Sequence, residues 1–163
     1  MTLRRQIGAR IIDDRCDFTL WAPFAEGVTL ELEGKEAKKF PMKREAYGYW
    51  NVQLEGISLG VKYFYRIDNN ERRPDPASLY QPDGVHGPSM VTDIGSFIWD
   101  DKEWNNIDQR DMIIYELHTG SFSESGTFEA VEEKLDYLID LGINAIELMP
   151  VSQFPGERNW GYD

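Results

Sequence analysis

The sequence is poor in cysteine and in positive charge. Its single cysteine, Cys16, excludes an intrachain disulfide, which fits a reducing compartment. Lysine and arginine number 17 against 29 aspartates and glutamates, so the formal net charge is -12. This balance argues against nucleic acid or an anionic membrane as partners, because both require clustered basic side chains. A neutral ligand such as a sugar is compatible with the charge but is not selected by it.

Several signals of location and chemistry are also missing. The opening residues, MTLRRQIGARIIDD, contain no apolar run of signal-peptide length, and no window approaches a transmembrane helix. We therefore expect a cytoplasmic protein. Two histidines and one cysteine, widely separated, predict no metal site. The sequence also lacks a glycine-rich phosphate loop and a G-x-S-x-G nucleophile elbow.

What the first 70 residues do contain is short runs of alternating apolar and polar residues. In residues 16–21, CDFTLW, the side chains at 16, 18 and 20 face one way, and Pro23 should end the strand. Similar runs occur at residues 28–32, 40–42, 49–54 and 61–67, separated by turn residues. Short strands at this spacing predict an antiparallel β-sandwich, so the fold should be mainly β.

The segment FTLWAPFAEGVTLEL, residues 18–32, resembles the immunoglobulin-like N-terminal domain of α-amylase superfamily enzymes. Carbohydrate-binding module family 48 belongs to this group, and the resemblance implies such a domain over residues 1–95. Exposed aromatic rings usually bind sugars, and Tyr47, Tyr49 and Trp50 are candidates. The alternative is that alternate members of this cluster pack in the core. For Trp21 we expect a structural role.

Residues 72–90 connect the predicted sandwich to the rest of the chain. Four prolines and two glycines exclude a long helix or a central strand, but the apolar side chains predict an ordered, extended loop. The aromatic residues Phe97, Trp99 and Trp104, with Ile98, should fill the seam between the domains. The pattern at residues 73–89, RPDPASLYQPDGVHGPS, resembles the malto-oligosyltrehalose trehalohydrolases, whereas branching and debranching enzymes usually have a shorter version.

Residues 111–163 predict a strand, a helix and a second strand. The apolar runs MIIYEL and INAIELM suit parallel strands that are buried on both faces. Between them, Thr127 should cap a helix that ends at Gly142. The apolar residues of this helix should fall along one face: Phe128, Val131, Leu135, Leu138 and Leu141. The unit resembles the first βαβ unit of the α-amylase superfamily barrel, so we expect residues 96–163 to be an incomplete (β/α)8 barrel.

The resemblance implies a retaining α-glycosidase of glycoside hydrolase family 13 that needs no cofactor. The intact enzyme would act on an α-1,4-glucan and release trehalose from maltooligosyl trehalose in trehalose biosynthesis. The superfamily places its catalytic acids after later strands of a barrel of about 250 residues. This chain reaches only the second strand, so we expect no catalytic residue here and no activity of the polypeptide alone. Glu116 and Glu147, on the putative barrel strands, are expected to be structural.

In the final Asn159–Asp163 peptide, the resemblance assigns Tyr162 to the position that stacks beneath the sugar at subsite -1. Trp160 is a second candidate for substrate binding. Two other readings stay open, a glucan branching enzyme and a non-catalytic glucan-binding module. Because two barrel strands expose unpaired edges, we expect self-association or folding back on the sandwich to hide apolar residues. These are Ile113, Ile114, Ile146 and Leu148.

Overall fold

The computed structural model describes residues 6–34, 37–156 and 159. The chain divides into two compact units, Met1–Ile98 and Trp99–Asp163. Within the described residues, no helix is long and apolar enough to cross a membrane.

The first unit is made of antiparallel strands in two sheets. Its strands are β1 (Gly8–Ile12), β2 (Arg15–Trp21), β3 (Val28–Leu32), β4 (Lys38–Pro41), β5 (Lys43–Arg44), β6 (Tyr49–Glu55), β7 (Lys62–Ile67), β8 (Arg72–Arg73) and β9 (Ser89–Met90). One sheet has the order β1-β2-β6-β5. The other has the order β4-β3-β7-β8, with β9 also paired to β7.

The predicted alternation places the core between these two sheets. In β2 the buried side chains include Cys16, Phe18 and Leu20, as the spacing predicted. The Phe18 ring meets the edge of Tyr63 in the opposite sheet at a centroid distance of 5.0 Å. The sequence prediction of a sandwich is therefore confirmed, and β2 ends at Trp21, two residues before Pro23.

The proline-rich connector is ordered, as predicted. Its ends contribute β8 and β9, which both hydrogen-bond to β7. Asp75, which follows β8, and Ser89 of β9 are both buried, and the backbone N–H of Asp75 donates to Ser89 Oγ at 2.9 Å. The connector thus closes one edge of the sandwich instead of hanging free in solvent.

The second unit has the predicted βαβ order. Its elements are β10 (Ile114–His118), α1 (Thr119–Phe122), α2 (Phe128–Glu132), α3 (Leu135–Asp140) and β11 (Ala145–Met149). Strands β10 and β11 are parallel and in register. Thr127 Oγ1 accepts from the N–H of Ala130 at 3.3 Å, and Gly142 has φ +89°, so both predicted helix ends are confirmed.

This unit departs from the predicted single helix, and it exposes part of its apolar surface. The single helix is broken at Lys134, where φ is -104° and ψ is 3°, and Val131 and Leu138 are its buried apolar residues. The other three residues of the predicted apolar face, Phe128, Leu135 and Leu141, are exposed. Neither strand is fully buried, since three residues of β10 and two of β11 are exposed.

Apolar side chains around the predicted domain boundary remain exposed as well. The exposed fraction of each side chain lies between 64% and 89% for Phe97, Ile98, Trp99 and Trp104. The expectation that they fill the seam between the domains stays a prediction.

Candidate functional site

The two glutamates on the parallel strands do not form a catalytic pair. Glu116 and Glu147 are direct neighbours across β10 and β11, and both are exposed. Chemistry in barrels of parallel strands sits at the carboxyl ends of the strands, and both residues lie two positions before those ends. Among the residues described, no cluster of His, Cys, Asp and Glu side chains could hold a metal ion.

A cleft of about 660 Å³ opens where the two parallel strands end. His118 is the last residue of β10, and Pro150 follows the last residue of β11, so the strand ends bring both to the cleft. Asn159 also lines it, and its backbone carbonyl lies 3.2 Å from His118 Nε2. The geometry therefore joins the start of the Asn159–Asp163 peptide to the end of the first barrel strand.

Two residues that line this cleft, His118 and Thr119, carry buried polar atoms. His118 Nδ1 and Thr119 Oγ1 are buried without a hydrogen-bond partner among the described residues. If Nε2 donates its proton to the Asn159 carbonyl, Nδ1 is left as an acceptor that could receive a hydroxyl. Sequence reasoning did not single out His118; its position at the end of an apolar strand was the available signal. The predicted substrate-binding residues Trp160 and Tyr162 lie outside the described residues and stay predictions.

The aromatic candidates on the sandwich separate into one core residue and two surface residues. Trp50 is buried and donates from Nε1 to the carbonyl of Ala22 at 3.0 Å, so it belongs to the core. Tyr49 is half-buried, and Tyr47 has 88% of its surface exposed. The alternative in which alternate members of this cluster pack inside is therefore correct for Trp50.

Trp21 lies on the outer face of the sheet, with 56% of its surface exposed. The expectation of a structural role for Trp21 did not address its exposure, which the strand pattern indicates. Because Cys16, Phe18 and Leu20 point inward, strand alternation sends Trp21 outward. Its direct partner across β2 and β6 is Tyr49, so the two aromatic side chains share one face.

The most buried carboxylate in the sandwich has a structural setting. Asp75 accepts a hydrogen bond from the Tyr63 hydroxyl at 2.7 Å and one from the N–H of Ala77 at 2.8 Å. Burial raises the pKa of Asp75, and these hydrogen bonds lower it in part. With 3% of its surface exposed, Asp75 holds the connector against β7 and is not available to a ligand.

Comparison with known proteins agrees with this architecture. Residues 6–83 match the family described as "Carbohydrate-binding module 48 (Isoamylase N-terminal domain)". A malto-oligosyltrehalose trehalohydrolase of Saccharolobus solfataricus is 44% identical over 156 residues, which cover 96% of this chain and 27% of that protein. The trehalohydrolase of Deinococcus radiodurans is 39% identical over 90% of this chain and 24% of its own length. A 1,4-alpha-glucan branching enzyme of Pseudoalteromonas atlantica is 31% identical, covering 97% of this chain and 26% of that enzyme.

Solved structures show the same relationship. A protein described as an alpha amylase from Salmonella typhimurium is 40% identical with a TM-score of 0.87, covering 98% of this chain and 27% of that one. A pullulanase from Anoxybacillus sp. LM18-11, complexed with maltotetraose, is 26% identical with a TM-score of 0.79 over 92% of this chain and 26% of its own.

Residues 6–83 are therefore similar to carbohydrate-binding module 48 domains, and the chain is similar to part of enzymes of the α-amylase superfamily. Within that superfamily, its sequence resemblance to the malto-oligosyltrehalose trehalohydrolases is confirmed. The chain spans about a quarter of the length of the curated relatives that it matches.

Proposed function

We propose that this chain is part of an enzyme that hydrolyses α-glucans. The enzyme would cleave the α-1,4 bond next to the terminal trehalose unit of maltooligosyl trehalose. The observation that carries this proposal is the 44% identity to a trehalohydrolase over 96% of the chain. That similarity includes both the sandwich and the βαβ unit. The branching enzyme, at 31% identity, supports the alternative of glucan branching less well.

The two units would have different tasks in this reaction. The sandwich would contact the glucan, and Tyr162 and, secondarily, Trp160 would contact the substrate of the intact enzyme. Hydrolysis with retention needs two carboxyl groups about 5–5.5 Å apart, and Glu116 and Glu147 do not supply them. We therefore propose that the 163-residue polypeptide is inactive by itself. The intact enzyme would act in the cytoplasm, in the synthesis of trehalose.

The test of this function compares two samples, the 163-residue polypeptide and the product of the complete coding sequence. Both are incubated with maltotriosyl trehalose, and released trehalose is measured by chromatography. We expect trehalose from the second sample, with the new reducing end first appearing as the α-anomer by NMR. Formation of α-1,6 branches from amylose, without trehalose release, would instead establish the branching reaction.

A second proposal concerns assembly of the polypeptide. Ile113 and Ile114 have more than half of their surfaces exposed, and Ile146 is exposed beside them on β11. Two isolated strands with open edges are marginal in water, and their apolar groups favour contact with a second copy. Leu148, by contrast, is half-buried against the small core of the second unit.

Light scattering coupled to gel filtration tests this self-association. We expect the polypeptide to dimerise or form larger species as its concentration rises, and Ile114→Lys to shift it toward the monomer. Ile98→Lys is the matched control, because Ile98 is exposed but lies outside the strands. A strictly monomeric particle at high concentration would contradict the proposal.

A further inference from the structure

We propose that the outer face of the sheet β1-β2-β6-β5 is an α-glucan binding surface in which Trp21 and Tyr47 form the stacking platform. The choice of α-glucan as ligand depends on the proposed function, whereas the location of the surface follows from the sandwich alone. Both rings are largely exposed, at 56% and 88%. Flat aromatic faces of this kind suit the C–H groups of a pyranose ring.

The platform is held in place by backbone contacts. Trp21 Nε1 donates to the carbonyl of Tyr47 at 3.0 Å, which fixes the indole edge and leaves the indole more than half exposed. One residue further, the N–H of Ala22 donates to the carbonyl of Gly48 at 2.9 Å. These two hydrogen bonds join the end of β2 to the turn that carries Tyr47. A ligand would therefore meet rings that are already positioned, which lowers the entropy cost of binding.

The turn that presents Tyr47 is conformationally strained. Tyr47 has φ 62° and ψ 21°, a left-handed conformation that is uncommon for a bulky residue. Gly48 follows with φ +82°, and a Cβ atom there would lie 2.5 Å from the Cα of Pro23. Strained backbone persists where surrounding contacts enforce it, and it clusters at binding sites. Here the enforced conformation keeps a large aromatic side chain in solvent.

Polar side chains lie on the same face of the sheet as the Trp21 ring. Trp21 pairs with Tyr49, and the next pair on this face is Thr19 with Asn51. Asn51 also pairs with Lys43 of β5, so the ammonium group belongs to the same face. Asn51 Nδ2 donates to Thr19 Oγ1 at 2.9 Å, which orients the amide. Aromatic faces beside amide and ammonium groups match a sugar, whose faces are apolar and whose rim carries hydroxyls.

Substitutions at Trp21 and Tyr47 test the contribution of each ring to glucan binding. Trp21→Ala removes the larger ring, and Trp21→Phe keeps a flat ring while losing the N–H donor. Tyr47→Gly removes the second ring and suits the positive φ, so it should preserve the thermal unfolding temperature. Trp104→Ala is the matched control, because Trp104 is also more than half exposed but lies in the second unit.

Binding of maltoheptaose by titration calorimetry, with glycogen affinity electrophoresis beside it, measures the effect on the full chain. We expect saturable binding that is weakened about three- to tenfold by Trp21→Ala and by Tyr47→Gly. Trp21→Phe should bind more tightly than Trp21→Ala, and Trp104→Ala should bind like the unmodified protein. The unfolding temperature of each variant, followed by circular dichroism, confirms that the sandwich is intact.

Two outcomes overturn this surface. In one, the folded variants Trp21→Ala and Tyr47→Gly bind glucan as tightly as the unmodified protein does. The binding site then lies elsewhere, and the proposed function is unaffected. In the other, the unmodified protein shows no saturable binding. The proposed hydrolysis is then still decided separately, by trehalose release from the product of the complete coding sequence.

Discussion

The buried contact between Tyr63 and Asp75 gives the sharpest test of how the connector is attached to the sandwich. The Tyr63 hydroxyl donates to Asp75 Oδ2 at 2.7 Å, and the two residues are only 1% and 3% exposed. Replacing Tyr63 by Phe removes one oxygen and keeps the ring that packs against Phe18. The perturbation is therefore confined to one hydrogen bond on a buried carboxylate.

The expected cost is about 1.5–3 kcal/mol of unfolding free energy, the usual range for a hydrogen bond to a charged group. For a domain of this size, a loss of about 2 kcal/mol lowers the unfolding temperature by about 8–16 °C. Urea unfolding followed by circular dichroism measures the difference between Tyr63→Phe and the unmodified protein.

The pH dependence separates this hydrogen bond from general damage to the core. Burial raises the pKa of Asp75 above its ordinary value of 3.8, and the Tyr63 hydroxyl opposes that shift. The contribution of Asp75 to stability is therefore full below the unfolded pKa and declines as the pH rises through the folded pKa. Tyr63→Phe removes a contact that favours the charged form, so its cost should be largest near neutral pH and smaller in acid.

Tyr65→Phe is the matched control. The Tyr65 hydroxyl is also buried and interacts with Asp75, but more weakly than Tyr63 does, and its geometry does not qualify as a hydrogen bond. Its removal should cost less than the removal of the Tyr63 hydroxyl. The reasoning is refuted if Tyr63→Phe costs less than about 0.5 kcal/mol at neutral pH, or if its cost is the same at every pH.

Three further predictions concern the same unit. Burial raises the pKa of the Cys16 thiol to about 11, so its labelling by a disulfide reagent should be at least about a hundredfold slower in the native protein than in urea. Gly56 has φ +69° and open space around it, so Gly56→Ala should lower the unfolding free energy by about 1 kcal/mol, measured by urea unfolding. Gly48→Ala would also clash with Pro23 and should lower it by more than about 2 kcal/mol. Equal losses for the two variants would contradict this prediction. The hydrogen bond from Arg66 lowers the pKa of Glu31. Glu31→Gln should therefore lower the unfolding temperature near neutral pH, where the native carboxylate is charged. Below the folded pKa of Glu31 the variant should unfold at the same temperature as the unmodified protein, because the native carboxyl is then protonated.

Strand alternation predicted much of the sandwich, because each strand packs one face against the other sheet. Cys16, Phe18 and Leu20 are buried as the spacing required. The same alternation places Trp21 on the outer face of the sheet, where 56% of its surface is exposed. For Trp50, only pairing with Leu20 across β2 and β6 shows that its side chain faces the core.

The second unit shows where local patterns stop being sufficient. The caps at Thr127 and Gly142 are formed by nearby backbone and side-chain groups, so short segments of sequence predict them. Burial of Phe128 and Leu141 depends instead on neighbouring elements, and both remain exposed. Apolar periodicity marks the residues that need a covering surface but does not supply that surface.

The sequence alone determined the order of elements and the family resemblance, because turn residues, alternation and motif spacing are local properties of the chain. The tertiary structure decided which aromatic rings are buried, which carboxylate anchors the connector and which residues meet at the strand ends. Those outcomes depend on contacts between residues far apart in sequence, such as Trp21 with Tyr47 and Tyr63 with Asp75. Sheet register and loop closure bring these pairs together, and neither is contained in a local pattern.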